Sequence, residues 1–336
     1  MRFQTVGRCC AVGAFLAAIA VGYMSNSGAR AGGDPAGSPS LYTKLHRASV
    51  EILVDGRMTG SGCFVDPAGI VLTACHVVKD VENKRLEVIS PTIGCIAAKR
   101  IATDLGHDLA LLSVPKRRWG YPSLEVATRN PDALSTVFLT SSPIWRHGLV
   151  LKGTVARSDP SFCLQTSLNC YIRCMYIDGA SPVGSSGGAW CDRRGRVVGV
   201  QSGYLNNNDK SWVGIAFAAP SDAIARLIAE RGDRKIATLG ATMDELWTQS
   251  PGFIARLPKG VRGVVPPRVK KGGPLEAAGL TRETLILEID GKPVSYLDTL
   301  LDIVQSKKPG DEVTLKVIEP IGTPPRKVKV TLGQVK

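Results

Sequence analysis

The stretch Pro182-Val183-Gly184-Ser185-Ser186-Gly187-Gly188-Ala189-Trp190 decides how the rest of this 336-residue chain is read. A serine with glycines on both sides suits a nucleophile. Neighbours without side chains let a carbonyl approach and let the backbone turn its N–H groups toward a developing oxyanion. The same composition is common in turns and linkers, so the reading depends on what the chain supplies elsewhere. Upstream, Gly69-Ile70-Val71-Leu72-Thr73-Ala74-Cys75-His76-Val77-Val78 is an apolar, β-type run carrying a histidine near its end. His107-Asp108-Leu109-Ala110-Leu111-Leu112 then sets an aspartate at the mouth of another apolar strand.

The order His76, Asp108, Ser186 is the chymotrypsin order of the serine triad, in which histidine takes the serine proton and aspartate holds the imidazole. Asp104 and His107 compete for these places. Asp108 is preferred because the strand from Leu109 to Val114 starts directly after it, whereas Asp104 lies in a looser turn; His107 reads as a loop residue and His46 and His147 as surface.

Around these residues the chain reads as many short strands. Val50-Glu51-Ile52-Leu53-Val54 stops at the turn pair Asp55-Gly56, Phe64-Val65 stops at Asp66-Pro67-Ala68-Gly69, and further strands are expected over 86–89, 110–114, 136–139 and 148–156. Brief strands at close spacing argue for barrels or a sandwich. Arg193-Arg194-Gly195-Arg196 reads as a hairpin turn. Ser221–Arg231 carries Ile224, Leu227 and Ile228 at helical spacing, with Ser221 or Asp222 able to cap it.

The runs Gly60-Ser61-Gly62-Cys63-Phe64-Val65, Thr73–Val78, Asp108–Leu112 and Gly184–Gly188, followed by Val213–Pro220, resemble the HtrA (high-temperature-requirement) serine proteases. The resemblance covers roughly Leu41 to the C-terminus. It departs at Ser185, where the family usually has Asn, and at Ala74-Cys75, where it usually has a polar pair. It implies an all-β, chymotrypsin-like protease domain of two six-stranded barrels over 41–233, with the triad in the cleft between them. A small α+β PDZ domain follows over 234–336, carried by Ala237–Ala241, Gly263–Pro267, Gly272–Leu280, Leu285–Val294 and Val313–Ile318. In such domains a Leu-Gly loop offers backbone N–H groups to a peptide's terminal carboxylate while the peptide adds as a strand. Thr238, Leu239, Gly240 and Ala241 match that loop, with Ala241 smaller than the usual aliphatic residue.

The resemblance further implies hydrolysis of peptide bonds in misfolded or unfolded exported proteins through an acyl-enzyme, the N–H groups of Gly184 and Ser186 forming the oxyanion hole. Such chemistry needs no metal or organic cofactor. The segment at Val200, Gln201 and Ser202 is expected to pair with substrate backbone. Trypsin has an acid six residues before its nucleophile; Ala180 stands there in this chain, and with Ser181 beside it small aliphatic P1 residues are expected. Tyr42 matches the aromatic that packs between subunits in trimeric relatives, a core aromatic being the other reading. The alternative function is a peptide-binding chaperone or scaffold with weak or absent catalysis.

Composition sets the outer limits. A chain of this length can bury two ordinary cores. The formal charge of +13 comes from 42 basic and 29 acidic residues. Its basic residues are scattered pairs, Arg117-Arg118, Arg193-Arg194, Lys270-Lys271 and Lys307-Lys308, so a solvated surface is favoured over nucleic-acid binding. Met1–Arg8 is basic, Cys9–Met24 is apolar, and Ala29-Arg30-Ala31 supplies a cleavage pattern. That order reads as a secretory signal over 1–31, or an uncleaved anchor, and places the protein in the periplasm or another extracytoplasmic space. Residues 32–40 read as a flexible Gly/Pro/Ser spacer. Of nine cysteines, Cys9 and Cys10 fall in the signal. Disulfides are the default for an exported chain. Cys63 with Cys75 is the first expected bridge, from its placement in chymotrypsin relatives, and Cys163, Cys170, Cys174 and Cys191 could supply another. Their spacings lack the Cys-x-x-Cys pattern of a zinc site.

Overall fold

The computed structural model describes residues 39–207, 211–319 and 324–335. The expected signal segment over 1–31, and residues 32–38 of the spacer, lie outside the described residues. The first element is a helix that the sequence reading did not anticipate: α1 (Leu41–Ala48), capped by the Ser40 hydroxyl, which accepts from the Thr43 N–H. It turns Leu45 and Ala48 inward and leaves Tyr42 55% exposed, stacked on His46, so Tyr42 is not a core aromatic.

Seven strands follow: β1 (Ser49–Val54), β2 (Arg57–Asp66), β3 (Ile70–Thr73), β4 (Leu86–Ser90), β5 (Gly94–Ala97), β6 (Lys99–Asp104) and β7 (Leu109–Ser113). They form one antiparallel sheet in the order β5-β4-β1-β2-β3-β7-β6, seven strands where a six-stranded barrel was expected, and among the described residues no ladder joins its end strands β5 and β6 to close it. Its apolar face buries Ile52, Phe64, Leu72, Leu109 and Leu111 with Leu45 of α1. The second sheet contains β8 (Thr136–Ser141), β9 (Leu149–Gln165), β10 (Cys170–Gly179), β11 (Ala189–Cys191), β12 (Val197–Asn206) and β13 (Trp212–Pro220). It closes into a six-stranded barrel, filled by Val137, Leu139, Val155, Ile177 and Trp190. The β9–β10 hairpin is much longer than the strand expected over 148–156. Helix α2 (Ser221–Glu230) closes this part on Ala223, Ile224 and Leu227. Its cap position is Pro220, and neither Ser221 nor Asp222 caps it; the Ser221 hydroxyl donates to Asn130 Oδ1 instead.

The C-terminal part contains β14 (Ala237–Thr238), β15 (Ala241–Glu245), α3 (Pro251–Ile254), β16 (Val264–Val269), α4 (Pro274–Ala277), β17 (Leu285–Ile289), β18 (Lys292–Pro293), α5 (Leu297–Ser306), β19 (Glu312–Ile318), β20 (Arg326–Thr331) and β21 (Gly333–Gln334). Its main sheet runs β15-β16-β17-β19-β20, so β15 is an edge strand, and α5 packs Leu300 and Val304 into the same core as Met243.

The seven described cysteines are free thiols. The expected Cys63–Cys75 bridge is not formed, because the strand order sends the two side chains to different cores. Cys63 on β2 points in among Leu72, Phe64 and Cys191, whereas Cys75 lies beyond the end of β3, in a one-turn 3-10 helix, and packs with Cys163, Cys170, Cys174 and Phe217.

Candidate active site

The residues expected to cooperate are carried by separate elements. His76 sits in the 3-10 turn that follows β3, and Asp108 sits in the residue before β7, with φ of 54°. That left-handed backbone is one that Asp tolerates better than most residues. β3 and β7 are adjacent and antiparallel, with Thr73 opposite Ala110, which brings the two side chains face to face. His76 Nδ1 donates to Asp108 Oδ2 at 2.7 Å, and the His76 backbone N–H donates to Oδ1 at 2.8 Å. Asp108 is fully buried, and the imidazole is 15% exposed. A buried carboxylate holding both the ring and the backbone of one histidine fixes its tautomer and leaves Nε2 facing the cleft.

Ser186 lies on a loop that β2 pins from below. The Ser61 N–H donates to the Ser186 carbonyl at 2.7 Å, and the Ser61 hydroxyl donates to the Gly184 carbonyl at 2.8 Å. Gly187 is required here: its φ is +83°, and a Cβ would fall 2.2 Å from both Ser61 O and Thr73 Oγ1. This contact sets the nucleophile loop against the end of β3, next to the turn that carries His76. Among the described residues the Ser186 hydroxyl has no hydrogen-bond partner. In unliganded sites such a bond is often long or poorly aligned.

The neighbouring loop orients the peptide between Val183 and Gly184. The Ile144 N–H donates to the Val183 carbonyl at 2.8 Å. In a trans peptide the C=O and the following N–H point opposite ways, so the Gly184 N–H turns away from loop 142–148. Neither Gly184 N–H nor Ser186 N–H has an acceptor among the described residues. Unpaired backbone N–H donors beside a serine are the groups an oxyanion would require. The clamping turn is itself strained, with Ile144 at φ 48° and Trp145 at φ 57°.

The expected substrate residues have internal roles. Val200 is buried between Ala189 and Ala219. The buried Gln201 side chain accepts from Trp190 Nε1 and donates to Ser181 Oγ, each at 2.7 Å. Ala180 is half-buried just after β10. Ser202 donates its hydroxyl to Asp108 Oδ2. Gln165, at the end of β9, donates from Nε2 to Ser202 Oγ at 3.0 Å and Ser202 O at 3.1 Å, and reaches Asp108 Oδ2 at 3.4 Å. Sequence reasoning missed Gln165 altogether, and no local motif marks it.

The competing pair is real but separate. His107 Nδ1 donates to Asp104 Oδ2 at 2.9 Å, with both residues buried. Burial alone would raise the Asp104 carboxyl, but His107, Arg234 and Arg226 outweigh it and hold it below the ordinary carboxylate value. His107 does lie in the turn expected for it, yet it is 7% exposed. The His147 side chain is 78% exposed and pairs with Glu51, and His46 is half-buried against Tyr42. Burial pushes the Cys63 and Cys170 thiols up to about 12, so neither offers a thiolate near neutrality.

At the other end of the molecule, Thr238–Ala241 forms the turn between β14 and β15, with Gly240 at φ +70° and its N–H accepted by Thr238 Oγ1. The groove between β15 and α5 is a cavity of about 310 Å³. The β9–β10 hairpin enters it, with Leu164, Leu168 and Tyr171 on one side and Leu239, Met243 and Leu301 on the other. The Tyr171 hydroxyl accepts from the Met243 N–H at 2.8 Å and donates to the Met243 carbonyl at 3.0 Å.

Comparison with known proteins bears on the domains and the fold. Residues 60–200 match the trypsin-like peptidase domain and residues 237–331 the PDZ domain. A probable periplasmic serine endoprotease DegP-like from Rickettsia conorii is 27% identical over 265 residues, covering 77% of this chain and 51% of that protein. The serine protease Do-like HtrA of Lactobacillus helveticus is 27% identical over 259 residues, 74% of this chain and 62% of its own length. This chain thus spans about half to three-fifths of the length of these curated relatives. Among solved structures, the HtrA-type protease AlgW with a tripeptide superposes with a TM-score of 0.64 at 20% identity, covering 88% of this chain and 96% of that one. The serine endoprotease from Yersinia pestis gives 0.59 at 20% identity, covering 89% and 100%. At such identity the structural likeness speaks for the fold alone. The domain matches, the relatives and the fold agree: the chain carries a trypsin-like peptidase domain followed by a PDZ domain and is similar to the HtrA-type serine proteases.

Proposed function

We propose that this chain is a serine endopeptidase in which Ser186 attacks a peptide carbonyl, His76 serves first as base and then as acid, and Asp108 holds the imidazole. The observation that carries this reading is the buried Asp108 carboxylate gripping both Nδ1 and the backbone N–H of His76, 2.7 and 2.8 Å away, beside a serine loop with two unpaired N–H groups. The donors of Gly184 and Ser186 would receive the oxyanion, and the acyl-enzyme would form without a metal or cofactor. The side chains of Ser181, Gln201 and Ser202 are bonded internally, and so are the Gln201 N–H and carbonyl and the Ser202 carbonyl, which leaves Ala180 as the expected residue that would meet substrate.

Misfolded or unfolded exported proteins are the proposed substrates, and the periplasm the proposed location, because several relatives carry the name periplasmic serine endoprotease. Capture of peptide C-termini by the 238–241 loop and β15 belongs to the same proposal, as does subunit contact through the exposed Tyr42. The test is covalent labelling by a fluorophosphonate probe, with and without apolar C-terminal peptides, beside a Ser186→Ala control. Labelling that disappears in the control supports an activated serine. A folded protein that stays unlabelled in both conditions favours the peptide-binding scaffold, a reading motivated by the departures from the family pattern at Ala74, Cys75, Ser185 and Ala241.

A further inference from the structure

Gln165 occupies an unexpected place for a residue at the tip of a surface hairpin. It is 6% exposed, and its side chain reaches the triad carboxylate rather than solvent. The orientation of its amide is fixed by its partners. Oε1 accepts the Ser167 N–H at 3.2 Å, and Nε2 faces three oxygens, Ser202 O, Ser202 Oγ and Asp108 Oδ2. The Ser202 hydroxyl gives its own proton to Asp108, so it can only accept from Gln165. A directed chain results, from Gln165 Nε2–H to Ser202 Oγ and from Ser202 Oγ–H to Asp108 Oδ2, which also accepts the Nδ1–H of His76. Reversing the amide would set Oε1 against three acceptors and would break the whole chain.

Asp108 needs such support because of where it sits. Its oxygens are removed from water, and its backbone is held in the left-handed region. A buried carboxylate that must stay ionised and in one rotamer depends on the donors around it. Those donors are the two N–H groups of His76, the Ser202 hydroxyl and Gln165. The first two belong to the partner being positioned, which leaves Ser202 and Gln165 to set the carboxylate plane.

We propose that Gln165 is a positioning residue of this active site: through Ser202 and directly, it holds the Asp108 carboxylate in the plane that orients the His76 imidazole toward Ser186. This deepens the triad reading above and rests on it. The hairpin therefore brings a side chain into the reaction centre as well as a flank to the PDZ groove.

The experiment compares wild type, Gln165→Leu and Gln165→Glu by the rate and the affinity of fluorophosphonate labelling, and by the far-downfield resonance of the His76 Nδ1 proton. Loss of positioning lowers the labelling rate constant by about 10-fold or more while apparent probe affinity stays within about two-fold. It also shifts or broadens the Nδ1 proton resonance. A residue that merely braced the hairpin would leave that resonance in place. Gln165→Glu keeps the size of the side chain and removes the amide donor; it gives the same losses, and it decides the matter if Gln165→Leu does not fold. Wild-type labelling rates in both variants, with the resonance unmoved, overturn the proposal. If wild type itself does not label, the triad reading fails on its own. The resonance then decides for Gln165, a shift in either variant supporting it and an unchanged signal overturning it.

Discussion

Asp108 and Asp104 lie four residues apart, both buried and each holding a histidine, yet they serve different ends. Asp108 fixes the imidazole of His76, whereas Asp104 joins the end of β6 to Arg234 and His107. The depressed Asp104 carboxyl has a consequence for stability. A group whose folded pKa lies below its unfolded value contributes stability above the unfolded value and loses it as pH falls through the folded one. Acid unfolding of wild type is therefore expected to steepen below the ordinary carboxylate range, and Asp104→Asn, followed by thermal melts from neutral pH down into that range, flattens the curve. For Asp108, Ser202→Ala removes one donor to the carboxylate and is expected to slow labelling by roughly 10-fold, on the scale of a hydrogen bond to a charged group. The two aspartates could be told apart in the sequence because an apolar strand begins right after Asp108. Ser202 and Gln165 could not be linked to Asp108, since they lie 94 and 57 residues from it, and no short pattern reports contacts over that distance.

Single elements supply the constraints that individual residues cannot. The tight turn at 184–188 was legible from its glycines, and the structure gives one of them a physical reason: at Gly187 two oxygens lie where a Cβ would go. Gly187→Ala is expected to lose labelling entirely and to cost about 1–3 kcal/mol of stability, measured by denaturant unfolding. The cysteines were legible only as a count. The expected pairing came from the placement of a bridge in chymotrypsin relatives, whereas in this chain Cys63 lies in one core and Cys75, beyond the end of β3, in another. Cys95 is the exposed thiol among the seven. Alkylation of the folded protein with iodoacetamide is expected to modify Cys95 first, and a Cys95→Ser protein should resist until unfolded. Rapid modification of Cys63 or Cys170 in the native state would contradict their burial. The β9–β10 hairpin escaped the sequence reading because its mixed residues lack both a period of two and an end signal at Ala156, where the ladder shifts register between Val155–Ile177 and Arg157–Tyr176 and then goes on.

Across the whole molecule, the two domains meet through that hairpin. Asp298, in the first turn of α5, accepts from Ser161 Oγ and from the Phe162 N–H, each at 3.0 Å, and from Arg157 at 3.1 Å. Gln305, further along α5, donates to the Tyr171 carbonyl at 2.8 Å. Tyr171 holds the polar backbone groups of Met243 that a peptide strand would use. Tyr171→Phe is expected to raise the affinity for apolar C-terminal peptides by several-fold, since a hydroxyl bonded to both groups must otherwise be displaced. Isothermal titration would show this, and unchanged affinity would mean that peptides dock elsewhere. The two-domain order could be read from motif order alone. The contact between the domains could not, because it is made by side chains that carry no motif.

The double hydrogen bond of Tyr171 also bears on what happens when the domains are parted. β15 is the last strand of its sheet, and in the intact chain Tyr171 blunts part of its outer edge. A segment covering 234–336 alone would expose Met243 as an unmet donor and acceptor on a free strand, next to an α5 that has lost its Asp298 anchors. Such an edge pairs with another of its kind. The protease half would then matter to the smaller domain as a guard against self-association, a role separate from cleavage and retained even if Ser186 were absent.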